Sequence, residues 1–358
     1  MLITKHKILN CDSRDLSIIK DNSIALVVTS PPYPMVKMWD NLFGKLNKEI
    51  GSSLAAFDGR MAFSLMHIEL EKVWRELFRV LVDGGFACIN IGDATRKVGD
   101  RFMLYANHFR IMRAFFEIGF DILPIVHWRK QTNAPNKFMG SGMYPAGAYV
   151  TLEHEYILIF RKNGKRAFNS ETEKKNRQMS AIFWEERNRW YSDVWDFKGI
   201  KQNMDNEELR KRSAAYPFEL AYRLVNMYSV AGDNILDPFV GTGTTIYASM
   251  ISARNSIGIE INPLFNKYIE EEIPRRICEL NRFVSARYKR HKEFVNDYQE
   301  KKGKLKYINK PHGFPVVTKQ EIELILYYIN FYKEEDINSY KIGYKKYNDG
   351  AVQGSLDF

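Results

Sequence analysis

Residues 234–260 read NILDPFVGTGTTIYASMISARNSIGIE. This is a short apolar run, a glycine-rich turn, a helix-length segment and a second short apolar run. Two strands joined through a helix run parallel, and a parallel sheet needs cover on both faces. The same alternation extends through the chain. Ile8–Asp12, Ser23–Val28, Phe86–Ile91, FDILPIVHWRK (120–130) and EHEYILIFRK (153–162) read as further strands. Leu70, Val73, Trp74, Leu77, Phe78 and Leu81 recur at helical spacing, which predicts a helix over 68–81. Others are expected over 102–118 and from Pro217. Gly44, Gly51 and Gly59 mark 35–62 as an inserted loop. The expected class is α/β, a doubly wound, mostly parallel sheet.

Two strand ends carry unusual chemistry. Ser23–Val28 runs into TSPPYP (29–34). Pro31 and Pro32 have no N–H to give a ladder, and Ser30, preceding a proline, is held extended. The result is a stiff lip with free carbonyls at a strand's carboxyl end, where open α/β sheets place their ligands. In DPFVGTGTT (237–245), Gly241 and Gly243 permit a tight turn and a close approach of ligand to backbone. No GK[ST] follows, so this is not a P-loop, and the full GxGxxG fingerprint is missing. The strand–glycine turn–helix cradle for a nucleoside is kept. Glu260 ends the next strand, where an acidic group binds ribose hydroxyls in nucleotide folds.

Charge and cysteine usage narrow the classes. Lys and Arg number 53 against 43 Asp and Glu, a net charge of +10 that favours a polyanionic partner. Hydrophobic residues make up 45% of the chain and aromatics 14%, which excludes a disordered chain. Cys11, Cys88 and Cys278 have no paired spacing, so neither a zinc site nor a disulfide framework is expected. MLITKHKILN lacks a signal-peptide core and no apolar stretch approaches membrane-spanning length, so a cytoplasmic address is expected.

Taken together, these stretches resemble the S-adenosylmethionine-dependent DNA amino-methyltransferases. SPPY resembles their catalytic loop and DPFVGTGTT their cofactor loop. CDSRDLSIIKDNSIALVVTSPPY is similar to the family's lead-in, LEKVWRELFRVLVDGGFACINIGD to the helix and strand after it, and EHEYILIFRK to the later hairpin. AAYPFELAYRLV (214–225) resembles the segment that closes over the methionine end of the cofactor. The catalytic loop precedes the cofactor loop, the permuted order of the beta group. The resemblance implies a permuted Rossmann-like methyltransferase fold with S-adenosyl-L-methionine as cofactor and no metal.

It also implies roles. Ser30 Oγ and the Pro31 carbonyl would accept the exocyclic amine, with Pro32 stiffening the lip and Tyr33 stacking on a flipped base. Tyr216, Phe218, Glu219, Asp237, Pro238, Phe239, Gly241, Gly243, Thr244, Thr245 and Glu260 would form the cofactor pocket. Asp12 is either an adenine contact or a strand-end turn residue, and Asn262 either an adenosine contact or a helix cap. For Phe218 core packing competes. Ser at the first lip position favours cytosine N4 over adenine N6. Cytosine C5 chemistry needs a Pro-Cys pair, which this chain lacks. An RNA methyltransferase and a non-catalytic DNA-binding relative are the rival readings.

Residues 1–162 are expected to be the catalytic half, 163–212 the short target-recognition segment, 213–270 the cofactor half and 271–358 a basic, helical extension. Recognition is shared among 163–212, 35–62 and 271–358 in this reading. The expected partners are double-stranded DNA and a restriction endonuclease of the same target, with the protein a monomer or homodimer.

Overall fold

A computed structural model describes residues 2–130, 140–199 and 216–348. In chain order the first strands are β1 (Leu2–Leu9), β2 (Ile24–Thr29), β3 (Leu81–Ile91), the hairpin β4 (Ala94–Val98) and β5 (Arg101–Tyr105), and β6 (Asp121–Ile122). Then come β7 (Val126–Arg129), β8 (His154–Arg161), β9 (Val194–Asp196), β10 (Asn234–Asp237) and β11 (Asn255–Ile259). Two short strands, β12 (Tyr307–Ile308) and β13 (Pro315–Val316), precede a hairpin of β14 (Tyr327–Asp336) and β15 (Ser339–Lys346).

At the centre β1, β11, β10, β2 and β3 lie side by side, all parallel. All six residues of β2 are buried, as a strand covered on both faces requires. Its alternate side chains Leu26 and Val28 enter one core and Val27 the other, and Ile24, across a register shift, joins Val27. The second core holds α3 (Gly59–Val80) and α4 (Asn107–Ile118), with Trp74, Phe115 and Phe160 packed together. The first holds helices from the other half of the chain: Leu220 and Leu224 of one over Phe218–Tyr228, Ile246 of one over Thr244–Ile251, and Ile273 and Ile277 of one over Pro263–Lys302. Beyond β3 come β8 and β7, each antiparallel to its neighbour, and then β9, parallel to β7; beyond β1, β15 and β14 pair antiparallel.

Several local expectations change. The stretch 35–62 is helical: α1 (Asp40–Leu46), α2 (Lys48–Ala55) and the start of α3 occupy it. Asn47 and Asp58 cap α2 and α3 by accepting the N–H of Glu49 (3.0 Å) and Met61 (2.9 Å). The glycines that had marked a loop stand in open space at Gly44 and Gly51. At Gly59 a Cβ would lie 2.2 Å from the Tyr105 hydroxyl, so the hairpin β4–β5 dictates that glycine. That hairpin replaces the first turn of the helix expected from Phe102. Gly84 and Gly85, just past the helix expected to end at Leu81, fall inside β3, and Gly84 has φ +75°. Pro124 splits 120–130 into β6 and β7.

Beyond residue 271 the expected helix is present. It belongs to a 40-residue helix from Pro263 to Lys302, and the hairpin β14–β15 that follows was not foreseen. Tyr340, Ile342 and Tyr344 are buried there while their neighbours carry the basic charge that masked the pattern. In the segment 163–199, α5 (Glu171–Met179), α6 (Trp184–Trp190) and β9 lie against this core, with Trp190 and Trp195 buried as packing groups. We label the remaining helices α7 (Phe218–Tyr228), α8 (Thr244–Ile251) and α9 (Pro263–Lys302). No helix of the described residues is long and apolar enough to cross a membrane.

Candidate active site

The carboxyl ends of β2, β10 and β11 open on one cleft of about 230 Å³. Ser30, Pro31 and Pro32 form one wall. Pro238, Phe239, Gly241 and Thr244 form the facing turn, with Asp12, Tyr216, Glu260 and Asn262 around them. The lip and the glycine turn, over 200 residues apart in sequence, meet because β2 and β10 pair directly, with Leu236 beside Val27.

The turn has the backbone its glycines permit. Gly241 has φ +50° and Gly243 φ +84°, both left-handed. Gly243 is also the residue before α8, where a Cβ would press on Ile269 at 3.1 Å. Glu260 holds the turn from β11: its carboxylate accepts the N–H of Gly241 (3.1 Å) and of Asn262 (3.0 Å). Burial pushes the Glu260 carboxyl above its ordinary range, and these backbone donors only partly offset the shift. Asn262 caps α9 by accepting the Leu264 N–H at 3.2 Å, so the cap reading stands. Its Nδ2, buried at the cleft, has no partner among the described residues. The two readings of Asn262 are therefore compatible.

Asp12 is gripped by Arg14, which donates to it from the backbone N–H (2.9 Å) and from its guanidinium (2.7 Å). Burial alone would raise the Asp12 carboxyl; the Arg14 hydrogen bonds win and hold it below its usual range. Arg14 reaches on to Glu69 at 2.6 Å, and Glu69 also lines the cleft. Neither Arg14 nor Glu69 stood out in the sequence.

Six expected residues do not line the cleft. Gly243 and Thr245 lie behind the turn. Asp237 lies beneath it, 1% exposed, accepting from Thr29 Oγ1 (2.6 Å), the Phe239 N–H (3.0 Å) and the Tyr216 hydroxyl (3.2 Å). Burial raises its carboxyl despite these bonds. Tyr216 also lies within hydrogen-bond reach of Thr245, whose one hydroxyl proton serves either the Tyr216 oxygen or the Val28 carbonyl at 3.1 Å. Phe218 packs on Tyr222 and Phe283, the core alternative. Glu219 pairs with Arg223 at 2.9 Å. Tyr33 stands behind Ser30, which donates to its hydroxyl at 3.0 Å.

The basic run 275–292 is less free than its charge promises. Arg287 is buried in an ion pair with Glu186 at 2.7 Å and donates to the Tyr222 hydroxyl, and Arg276 pairs with Glu279. Arg282, Lys289 and Arg290 remain exposed. Residues 200–212 of the expected recognition window, and 214–215 of the segment expected to close over the cofactor, lie outside the described residues.

Comparison with known proteins agrees with this arrangement. The DNA methylase family N6_N4_Mtase matches residues 24–271. The chain belongs to the N6/N4 DNA methylase family. Among its relatives, the type II methyltransferase M.MthZI of Methanothermobacter thermautotrophicus is 52% identical over 347 residues, 96% of each chain. M.MjaI of Methanocaldococcus jannaschii is 47% identical over 283 residues, 76% of this chain and 92% of that one. Among solved structures, a methylase-type protein from Thermus thermophilus complexed with S-adenosyl-L-methionine superposes with a TM-score of 0.58. It is 31% identical and covers 76% of this chain and 95% of its own.

This DNA methylase is an enzyme whose substrate is DNA and whose cofactor is S-adenosyl-L-methionine. The residues present fit that cofactor. Glu260 offers a carboxylate for hydroxyls, Asn262 an unpaired amide N–H, and Gly241 a backbone edge without a side chain.

Proposed function

We propose that this methylase modifies the N4 amine of cytosine in duplex DNA, at a specific site, as the protective partner of a restriction endonuclease. The observation that carries the choice of base is Ser30: a neutral hydroxyl, followed by Pro31, on the cleft wall opposite the glycine turn. S-adenosyl-L-methionine supplies a methyl group on a cationic sulfonium. Its transfer to the amine nitrogen would leave the C–S bonding pair on sulfur and one amine proton for water.

An exocyclic amine is a weak nucleophile because its lone pair is delocalised into the ring. Ser30 Oγ and the Pro31 carbonyl accept its two N–H groups and favour a pyramidal nitrogen. This is positioning and electrostatic arrangement; no strong base is required. The base must leave the stack to reach the lip. Pro238, Phe239, Gly241, Glu260 and Asn262 hold the cofactor, with Asp12 beside them. The permuted beta-group order, with β2 ahead of β10, agrees with this reading. Target recognition falls to 163–212, helped by the helices of 35–62 and the exposed bases of 271–358. Its relatives M.MthZI and M.MjaI bear type II names, which supports a partner endonuclease.

The test is product analysis: mixed-sequence duplex DNA incubated with enzyme and cofactor, digested to nucleosides and weighed by mass spectrometry. N4-methylcytosine is expected. N6-methyladenine instead would keep the family and cofactor and refute the reading of Ser30.

A further inference from the structure

Behind the lip lies a group that neither the family resemblance nor the cleft accounts for. Glu155, the second residue of β8, is 9% exposed, and Asn90 near the end of β3 is 2% exposed. The Tyr33 hydroxyl donates to Glu155 Oε2 at 3.0 Å. Asn90 Nδ2 donates to the same oxygen at 2.7 Å and to the Tyr33 hydroxyl at 2.9 Å. Lys130 pairs with the other oxygen, Oε1. The far end of the chain is Ser30, whose hydroxyl lies 3.0 Å from that of Tyr33.

Counting protons orders this chain. A carboxylate paired with an ammonium group can only accept. The Tyr33 phenol has one proton, and burial pushes its pKa well above the usual value, so the proton is kept. It goes to Glu155. Asn90 takes one phenol lone pair, and the other is left for one donor. Among the described residues Ser30 supplies that donor. With its proton committed inward, the remaining lone pairs of Ser30 Oγ are available on the cleft side as acceptors.

We infer that Glu155, held by Lys130 and Asn90, is a positioning residue that acts through Tyr33 to fix Ser30 as a hydrogen-bond acceptor for the substrate amine. The inference rests on the amine-acceptor reading of Ser30 proposed above. No proton travels along the chain; its order is enough. An undirected serine hydroxyl would spend part of its time offering its own proton to the amine, and those orientations are unproductive.

The Glu155→Gln variant tests the order with little change in shape. Lys130 would draw the amide oxygen, turning Nε2 toward Tyr33, which then accepts from it. The phenol proton is freed toward Ser30, and the Ser30 proton toward the amine. We expect the single-turnover rate with saturating cofactor to fall about tenfold or more. The cofactor Kd should stay within about twofold and the melting temperature near that of wild type, a split that a general loss of structure would not produce. Tyr33→Phe, which keeps the ring, should lose a similar factor, and the double variant should be no slower than the slower single one. A Glu155→Gln enzyme with the wild-type rate overturns the inference, as do penalties that multiply in the double variant. If Glu155→Gln fails to bind cofactor, Tyr33→Phe decides alone, and a wild-type rate for it refutes the order. Ser30→Ala separates the two levels. A wild-type rate there overturns the acceptor reading itself, whereas a loss there beside an unaffected Glu155→Gln overturns only the role of Glu155.

Discussion

Each proposed working loop of the cleft has a tyrosine and a buried carboxylate behind it, Tyr33 half-buried and Tyr216 buried, held in opposite ways. Behind the lip, Tyr33 donates to Glu155, which has an ammonium partner in Lys130. Beneath the glycine turn, Tyr216 donates to Asp237, whose other bonds come from neutral donors, Thr29 and the Phe239 N–H. Burial raises both phenols well above their usual values, so both remain donors. The carboxylates differ. A counter-charge keeps Glu155 available as a fixed acceptor. Asp237 lacks such a partner among the described residues and its carboxyl is pushed up. Its bond to Thr29, the residue before Ser30, ties β2 to β10. In the proposed reading one carboxylate orders protons next to the chemistry; the other ties the two loops into a common frame.

The comparison breaks most sharply at Gly241. Its φ of +50° is one that a β-branched residue adopts only under strain, about 1–2 kcal/mol. A Cβ there meets no protein atom nearer than 3.9 Å, so the added side chain would stand in the cleft itself. Gly241→Val should weaken cofactor binding by on the order of 100-fold, strain and lost space together. The bonds among Ser30, Tyr33 and Glu155, on the opposite wall, should survive it. Titration calorimetry with S-adenosyl-L-methionine measures this, and near-normal affinity would separate the turn from the cofactor.

This asymmetry also explains what the sequence conveyed. Both working loops were legible because each breaks a strand in a way backbone chemistry restricts: two prolines after Ser30, two left-handed glycines after Val240. The supporting groups were not. Asn90 and Glu155 each sit inside an otherwise apolar strand run, where one polar residue reads as an edge or a solvent contact. Only the antiparallel pairing of β3 with β8 sets them side by side, Asn90 opposite Ile157 and Ile91 opposite Tyr156. Arg14 and Glu69, which come together from 55 residues apart, were hidden for the same reason. The helices of 35–62 were masked by Gly44 and Gly51, which lower helix propensity without preventing capped helices that bury Phe43 and Ile50. At the other end, alternating tyrosines and lysines made β14 and β15 look like a charged tail.

A smaller effect comes from Glu260, a third carboxylate held by backbone donors. Burial places its folded pKa above the ordinary 4.5. In the folded protein it therefore binds a proton more readily than in the unfolded chain. Its contribution to stability declines as pH rises from 4.5 through the folded value. Cofactor affinity should follow the opposite sign, because only the ionised form offers both oxygens as acceptors. Affinity should be full above the raised pKa and fall as pH drops through it. Glu260→Gln should bind more weakly and flatten the profile. An unchanged profile in that variant would assign the titration to another group, Asp237 being the nearest with a raised carboxyl.

The smallest effect belongs to Glu219, which the family resemblance places in the cofactor pocket. In the fold it lies in the first turn of α7 and reaches along the helix to Arg223, one turn on, with about a third of its side chain exposed, and it does not line the cleft. A pair of this kind contributes about 0.3–0.5 kcal/mol. Glu219→Ala should therefore lower the melting temperature slightly and change the cofactor Kd by less than about twofold. Calorimetry under the conditions used for Gly241→Val makes the two values comparable. A loss at Glu219 approaching that at Gly241 would mean that α7 moves when cofactor binds, carrying its first turn into the cleft. The frame built on Asp237 would then have to include Tyr216 as a moving part.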